Sequence, residues 1–183
     1  LRILSIDPGS RKAGFAVIEG AHPKPKYIAS GTLTFTSEID FWQRIHRIFK
    51  ETQLLIETYK PQVVALESLI YVKSPTALIK LAQARGAMIS AITFNGLAIS
   101  EYSPNLIKSS VTGHGHTDKE GMQKWISLEF GLEQFQTDDE SDALAIGLCH
   151  WYHSQHPSLK TNTKSKSRSL KNSLAHKIME NKL

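Results

Sequence analysis

One cysteine, Cys149, stands among 183 residues, so no internal disulfide can brace this chain. It lies in an apolar helical stretch and reads as a reduced core thiol. No segment approaches 18 consecutive apolar residues, which excludes a membrane-spanning helix. Leu1 to Ile6 is too short for a secretory signal and looks like a strand, so the expected compartment is the cytosol, cytoplasmic and without a membrane partner. Internal repeats are also absent. A net positive charge is also missing over most of the length. The net charge is +5, but from Pro157 onward seven Lys/Arg face Glu180 alone, and residues 1–156 sum to −1. Basicity is therefore a property of the tail. A near-neutral body is compatible with DNA binding when an acidic metal site offsets basic groups elsewhere, so net charge alone is a weak argument for nucleic acid.

What is present suggests one α/β domain over residues 1–155, long enough for a proper core, followed by a Lys/Ser/Asn-rich tail over 156–183. The tail composition predicts disorder, although Leu170, Leu174 and Ile178 fall at helical spacing. Ile3–Asp7, Gly14–Ile18 and Tyr27–Phe35 read as an antiparallel meander separated by Pro/Gly-containing turns. Ser37 is the expected cap of a helix carrying Ile45, Ile48, Phe49, Leu55 and Ile56, which Lys60-Pro61 stops. Val63–Leu66 and Leu97–Tyr102 are further strands. Ser74-Pro75 and Ser103-Pro104 each place a cap before a proline in the first helical turn, predicting helices over 75–95 and from 104 to about 111. Thr117 with Glu120, and Thr137 with Glu140, have the spacing of capping boxes. Three antiparallel strands followed by alternating helices and strands predict a mixed sheet with helices on both faces.

Carboxylates punctuate this pattern at informative places. Asp7 ends the first apolar strand, before Pro8-Gly9, and Glu67 ends the fourth. Asp139 and Asp142, at i and i+3, share a face at the start of the last helix. Asp138 and Asp142, at i and i+4, also share one, and spacing leaves the choice open. Acids at strand ends and a helix start lie where α/β folds collect their chemistry. Two carboxylates about 4 Å apart repel by roughly 4 kcal/mol at an effective dielectric near 20. One takes up a proton unless a cation neutralises the site, so the pattern points to a divalent-metal site of the kind that cleaves phosphodiesters. His114 and His116, on a glycine-bearing loop with no third ligand nearby, make a poor metal pair.

Four segments together resemble the RuvC-type Holliday junction resolvases. They are Ile6-Asp7-Pro8-Gly9-Ser10, Leu81-Ala82-Gln83-Ala84-Arg85-Gly86-Ala87, Glu101-Tyr102-Ser103-Pro104 and Asp142-Ala143-Leu144-Ala145-Ile146. Their order and spacing match from residue 1 to about 153. The resemblance implies an RNase H-like mixed five-stranded sheet, three antiparallel strands then parallel ones, with helices on both faces. It implies that Asp7, Glu67, Asp139 and Asp142 are both catalytic and metal-binding, selecting Asp139 over Asp138. Glu140 is then left to the helix terminus. The implied cofactor is Mg2+, two ions per subunit, with Mn2+ able to substitute. The implied partners are four-way junction DNA, a second copy of the chain in a homodimer, and a RuvA–RuvB branch-migration complex. Small residues Ala77, Ala84, Gly86, Ala87 and Ala91 on the 75–95 helix suit close helix approach in such a dimer. Lys108 and Lys119 match basic positions that act near the scissile phosphate.

One departure concerns the loop after Glu67, where the family usually places an aromatic that pries at the junction. Here Ile70 occupies that position, with Tyr71 beside it, and both are expected to contact DNA. An aliphatic wedge can unstack bases but forgoes aromatic stacking of roughly 1–3 kcal/mol per base. An actin-like ATPase fold is suggested by the first strand alone, and this sequence lacks the two glycine-rich phosphate loops such a fold needs.

Overall fold

A computed structural model describes residues 1–37, 40–69, 74–113 and 117–155. Ile70, Tyr71, His114, His116 and the 156–183 tail lie outside the described residues, and the expectations for them stand as sequence readings. The described chain runs β1 (Arg2–Asp7), β2 (Lys12–Glu19), β3 (Lys26–Thr34), α1 (Phe41–Tyr59), β4 (Val63–Glu67), α2 (Pro75–Phe94), β5 (Ala98–Tyr102), α3 (Pro104–Thr112), α4 (Lys119–Phe130) and α5 (Asp138–Gln155). The five strands form one sheet in the order β3-β2-β1-β4-β5. β1–β2 and β2–β3 are antiparallel, whereas β1–β4 and β4–β5 are parallel. This is the mixed sheet expected from the strand and helix pattern.

Strand side chains alternate between faces, and the sequence follows that period. Leu4, Ile6, Val64 and Leu66 face one way and are buried against Ile48, Leu55, Met88 and Ile92 of α1 and α2. Ile3, Val63 and Ala65 face the other way, against α3, α4 and α5 through Ile107, Ile126, Leu144, Leu148 and Cys149. Burial of each such Leu or Ile contributes about 1.5–3 kcal/mol, and the two clusters clamp the sheet from both sides. Among these apolar neighbours Ser5 is also fully buried. Its hydroxyl donates to the carbonyl of Ala143 at 2.7 Å, which pins α5 to β1.

Two helix starts differ from the sequence expectation. α1 is capped by Asp40, whose carboxylate accepts from the Gln43 amide at 3.0 Å, and not by Ser37. Ser37 lies too far ahead of Phe41 to reach the first turn, and its hydroxyl accepts from Arg47 at 2.6 Å instead. α4 is capped by Asp118, which accepts from the Gly121 amide at 2.8 Å, one residue later than Thr117. Carboxylate caps also complement the positive end of the helix dipole. Thr117 instead shares a 2.7 Å hydrogen bond with Thr112, tying the end of α3 to the approach of α4. The Ser74 and Ser103 caps are as expected.

Gly14 decides how close α5 comes to the sheet. It pairs with Asp7 across β1–β2, and a Cβ there would overlap the backbone carbonyl of Asp139. The first turn of α5 thus rests directly on strand backbone. Gly14→Ala must lift that turn, and overpacking of this kind costs about 1–3 kcal/mol. The expected result is a lower urea midpoint for Gly14→Ala with an unchanged m-value, read by circular dichroism.

Candidate active site

The parallel register aligns Ile6 with Leu66, so Asp7 and Glu67 are the next residues on adjacent strands. By alternation both belong to the face covered by α5, as Ser5 and Ala65 do. The start of α5 supplies the other acids. There the Thr137 hydroxyl accepts from the Glu140 amide at 3.2 Å, so the expected cap forms. Glu140 departs from the reciprocal box. Its carboxylate accepts from the Gln136 amide at 2.7 Å and from the Ser30 hydroxyl at 2.5 Å, joining the helix terminus to β3. Buried and fully engaged, Glu140 serves structure, as the sequence predicted.

Electrostatics separate the remaining acids. Asp7 is pushed up to about 7, first by burial and then by the negative charges of Glu67, Asp142 and Asp139, with Lys119 opposing. Glu67 is raised by burial and by Asp142, and Lys108 pulls it back. Burial raises Asp142 as well, against the pull of Lys119. Asp138 belongs elsewhere: it is exposed, and a hydrogen bond from Lys119 holds it below the usual carboxylate range. The charges of Glu67, Asp142 and Asp139 therefore all act on Asp7, whereas Asp138 pairs with Lys119 and acts, with Asp139, on Asp142.

Both sequence-predicted lysines reach this place. Lys119 Nζ lies 3.0 Å from Asp138 Oδ2 and 3.6 Å from Asp142 Oδ2. Partial burial disfavours its charge, but its hydrogen bonds and proximity to these acids outweigh that and raise its pKa. Lys108, from α3, joins Glu67, Asp142, Lys119, Met122 and Ile146 around a cleft of about 250 Å³. Acids and ammonium groups therefore line one opening.

These residues suit a hard divalent cation. The donors are all carboxylate oxygens, which match Mg2+ or Mn2+ and offer none of the nitrogen or sulfur that zinc prefers. Among the described residues no three acidic, His or Cys side chains are already gathered at ligating distance. In this arrangement Lys119 opposes the negative charge around Asp7 and Asp142. A cation would take over that role.

Two parts of the site escaped sequence reasoning. Gly14 could have been suspected, since a glycine inside a strand often marks close backbone approach. The Lys119–Asp138 pair could not, because it joins two helices whose packing only the fold sets.

The Asp7 shift has a consequence for stability. An aspartate near 3.8 in the unfolded chain and about 7 when folded binds more protons in the native state between those values. Stability is therefore lost as pH rises through that window. In chelator, Asp7→Asn is expected to raise the melting temperature over wild type at pH 8, and this advantage should shrink as pH falls toward 4. Equal shifts at both pH values would contradict the placement of Asp7.

Residues 3–150 match the family model described as crossover junction endodeoxyribonuclease RuvC. A protein of that name from Hydrogenovibrio crunogenus is 40% identical over 149 residues, covering 81% of this chain and 86% of the relative. Its namesake from Methylobacillus flagellatus is 42% identical over 154 residues, again covering 81% and 86%. The fold matches Thermus thermophilus RuvC in complex with a Holliday junction substrate, with a TM-score of 0.81, 24% identity, and coverage of 86% of this chain and 97% of that one. That likeness bears out the RNase H-like sheet, and the motif resemblance is borne out over nearly the same span. The chain belongs to the RuvC family of crossover junction endodeoxyribonucleases.

Proposed function

We propose that this chain resolves four-way DNA junctions, cutting phosphodiesters symmetrically in recombination and repair. The observation that carries this reading is the meeting of Glu67 and Asp142 with Lys108 and Lys119 around one cleft, with Asp7 within the field of Glu67, Asp142 and Asp139. The family is one of metal-dependent nucleases. The four carboxylates would hold two Mg2+ ions, or Mn2+ in their place. When bound, such ions activate water and stabilise the leaving 3′ oxygen of an in-line displacement.

The protein's own groups hold substrate and balance charge. Lys108 favours the ionised form of Glu67, keeping that carboxylate ready to bind a cation. Lys119 already contacts Asp142 and can exchange that partner for a phosphate oxygen as a point charge. Ile70 and Tyr71, in the segment that follows Glu67, are the candidates for separating bases at the crossover. A homodimer suits the substrate, since two-fold symmetry places two active sites on opposing strands of like polarity. Exposed Ile79 and the open space at Gly86 on α2 are consistent with a partner helix there. Cooperation with a RuvA–RuvB complex in the cytoplasm follows from the same reading. The basic 156–183 tail, outside the 1–155 nuclease domain, is then free to supplement phosphate binding.

The test is a synthetic mobile four-way junction with Mg2+, mapping nicks on every arm. Paired symmetric incisions are expected, falling at least about 100-fold in rate with Asp7→Asn. Lys119→Met should reduce cleavage about tenfold, the scale of one charge-assisted contact. Random nicking, or cleavage confined to an RNA–DNA hybrid, would overturn the junction reading.

A further inference from the structure

Two of the motif segments contain a charged pair that phosphodiester chemistry does not use. Arg85, on α2, is buried, with 9% of its side chain exposed. One guanidinium nitrogen, Nη2, donates to Glu101 Oε1 at 2.9 Å and to the backbone carbonyl of Glu67 at 3.4 Å. Its Nε is buried without a partner. Burying a guanidinium is costly, and the ion pair to Glu101 offsets only part of that cost.

The sheet register explains why the contact matters. Glu101 pairs with Leu66 and Tyr102 with Glu67, and alternation puts Leu66 on the α1/α2 face and the Glu67 side chain on the α5 face. Arg85 therefore grips Glu67 by its main chain from the face opposite the acid cluster. A second tie, from the Ser68 amide to the Tyr102 carbonyl at 2.8 Å, fixes the next peptide. Glu101 neutralises the guanidinium, so the grip holds the strand end without a competing charge for the carboxylate.

We propose that Arg85 and Glu101 form a positioning pair that sets the strand end presenting Glu67, and through it the affinity of the acid cluster for divalent metal. This rests on the reading that the cluster holds metal. Outer partners that orient metal ligands typically contribute 10–100-fold in affinity or activity, and a backbone grip belongs at the lower end. The pair also gives a physical reason for the Arg85 and Glu101 positions in two motif segments, one on α2 and the other at the end of β5.

Mn2+ binding to the full chain, followed by electron paramagnetic resonance, tests this without relying on turnover. Arg85→Met should weaken Mn2+ binding about tenfold. Arg85→Lys, which keeps the charge but not the reach, should fall between. Junction affinity measured in chelator should be unchanged in both, whereas a merely structural role would lower it with overall folding. If Arg85→Met fails to fold, Glu101→Gln at its half-exposed position carries the test, with a smaller loss in the same direction. Wild-type Mn2+ affinity in folded, junction-binding variants would overturn the proposal. Wild-type protein that binds no Mn2+ would overturn the metal-site reading and this inference with it.

Discussion

Everything at the active site depends on how closely the first turn of α5 settles onto the β1–β2 hairpin. Gly14, opposite Asp7, provides the bare backbone on which Asp139 rests. Ser5 fastens the next turn through the Ala143 carbonyl, and Gly147 passes Ser5 where a Cβ would come within 2.8 Å of its hydroxyl. Glu140, bound to Gln136 and Ser30, fixes the helix start from β3. These contacts use ordinary packing and hydrogen bonds to bring acids from distant parts of the chain together.

That packing opposes the acids' mutual repulsion. At an effective dielectric near 20, two carboxylates brought to about 4 Å repel by roughly 4 kcal/mol, so drawing these acids together around a ligand needs counter-charge. The structure answers with Lys119 between Asp138 and Asp142 and Lys108 near Glu67. Each is a provisional counter-charge that a divalent cation can replace. Strain of this kind is what makes a site bind metal and substrate phosphate together.

The fold was largely legible because its signals are local. Strand alternation in Ile3–Asp7 and Val63–Leu66 and the Ser-Pro helix starts depend on neighbours in sequence, and they read correctly. The Thr137 cap did too. Helix entry proved less legible, because several polar residues precede each start and only the carboxylate adjoining the helix, Asp40 or Asp118, reaches the first-turn amides. The acids were legible as ends of apolar runs, but choosing Asp139 over Asp138 needed the family motif. In the structure Asp139 acts on Asp7, whereas Asp138 is exposed, pairs with Lys119 and acts on Asp142. The Arg85–Glu101 pair was visible only as letters in two motifs, since its meaning lies in a contact across the sheet.

The most direct measurement is the titration of the Asp7 carboxyl carbon by NMR, in chelator and again with Mg2+. Burial of Asp7 together with the nearby acids predicts a midpoint near 7 without metal, moving to markedly lower pH when Mg2+ is added. A midpoint near 3.8 in both conditions would show Asp7 apart from the other carboxylates and contradict the account.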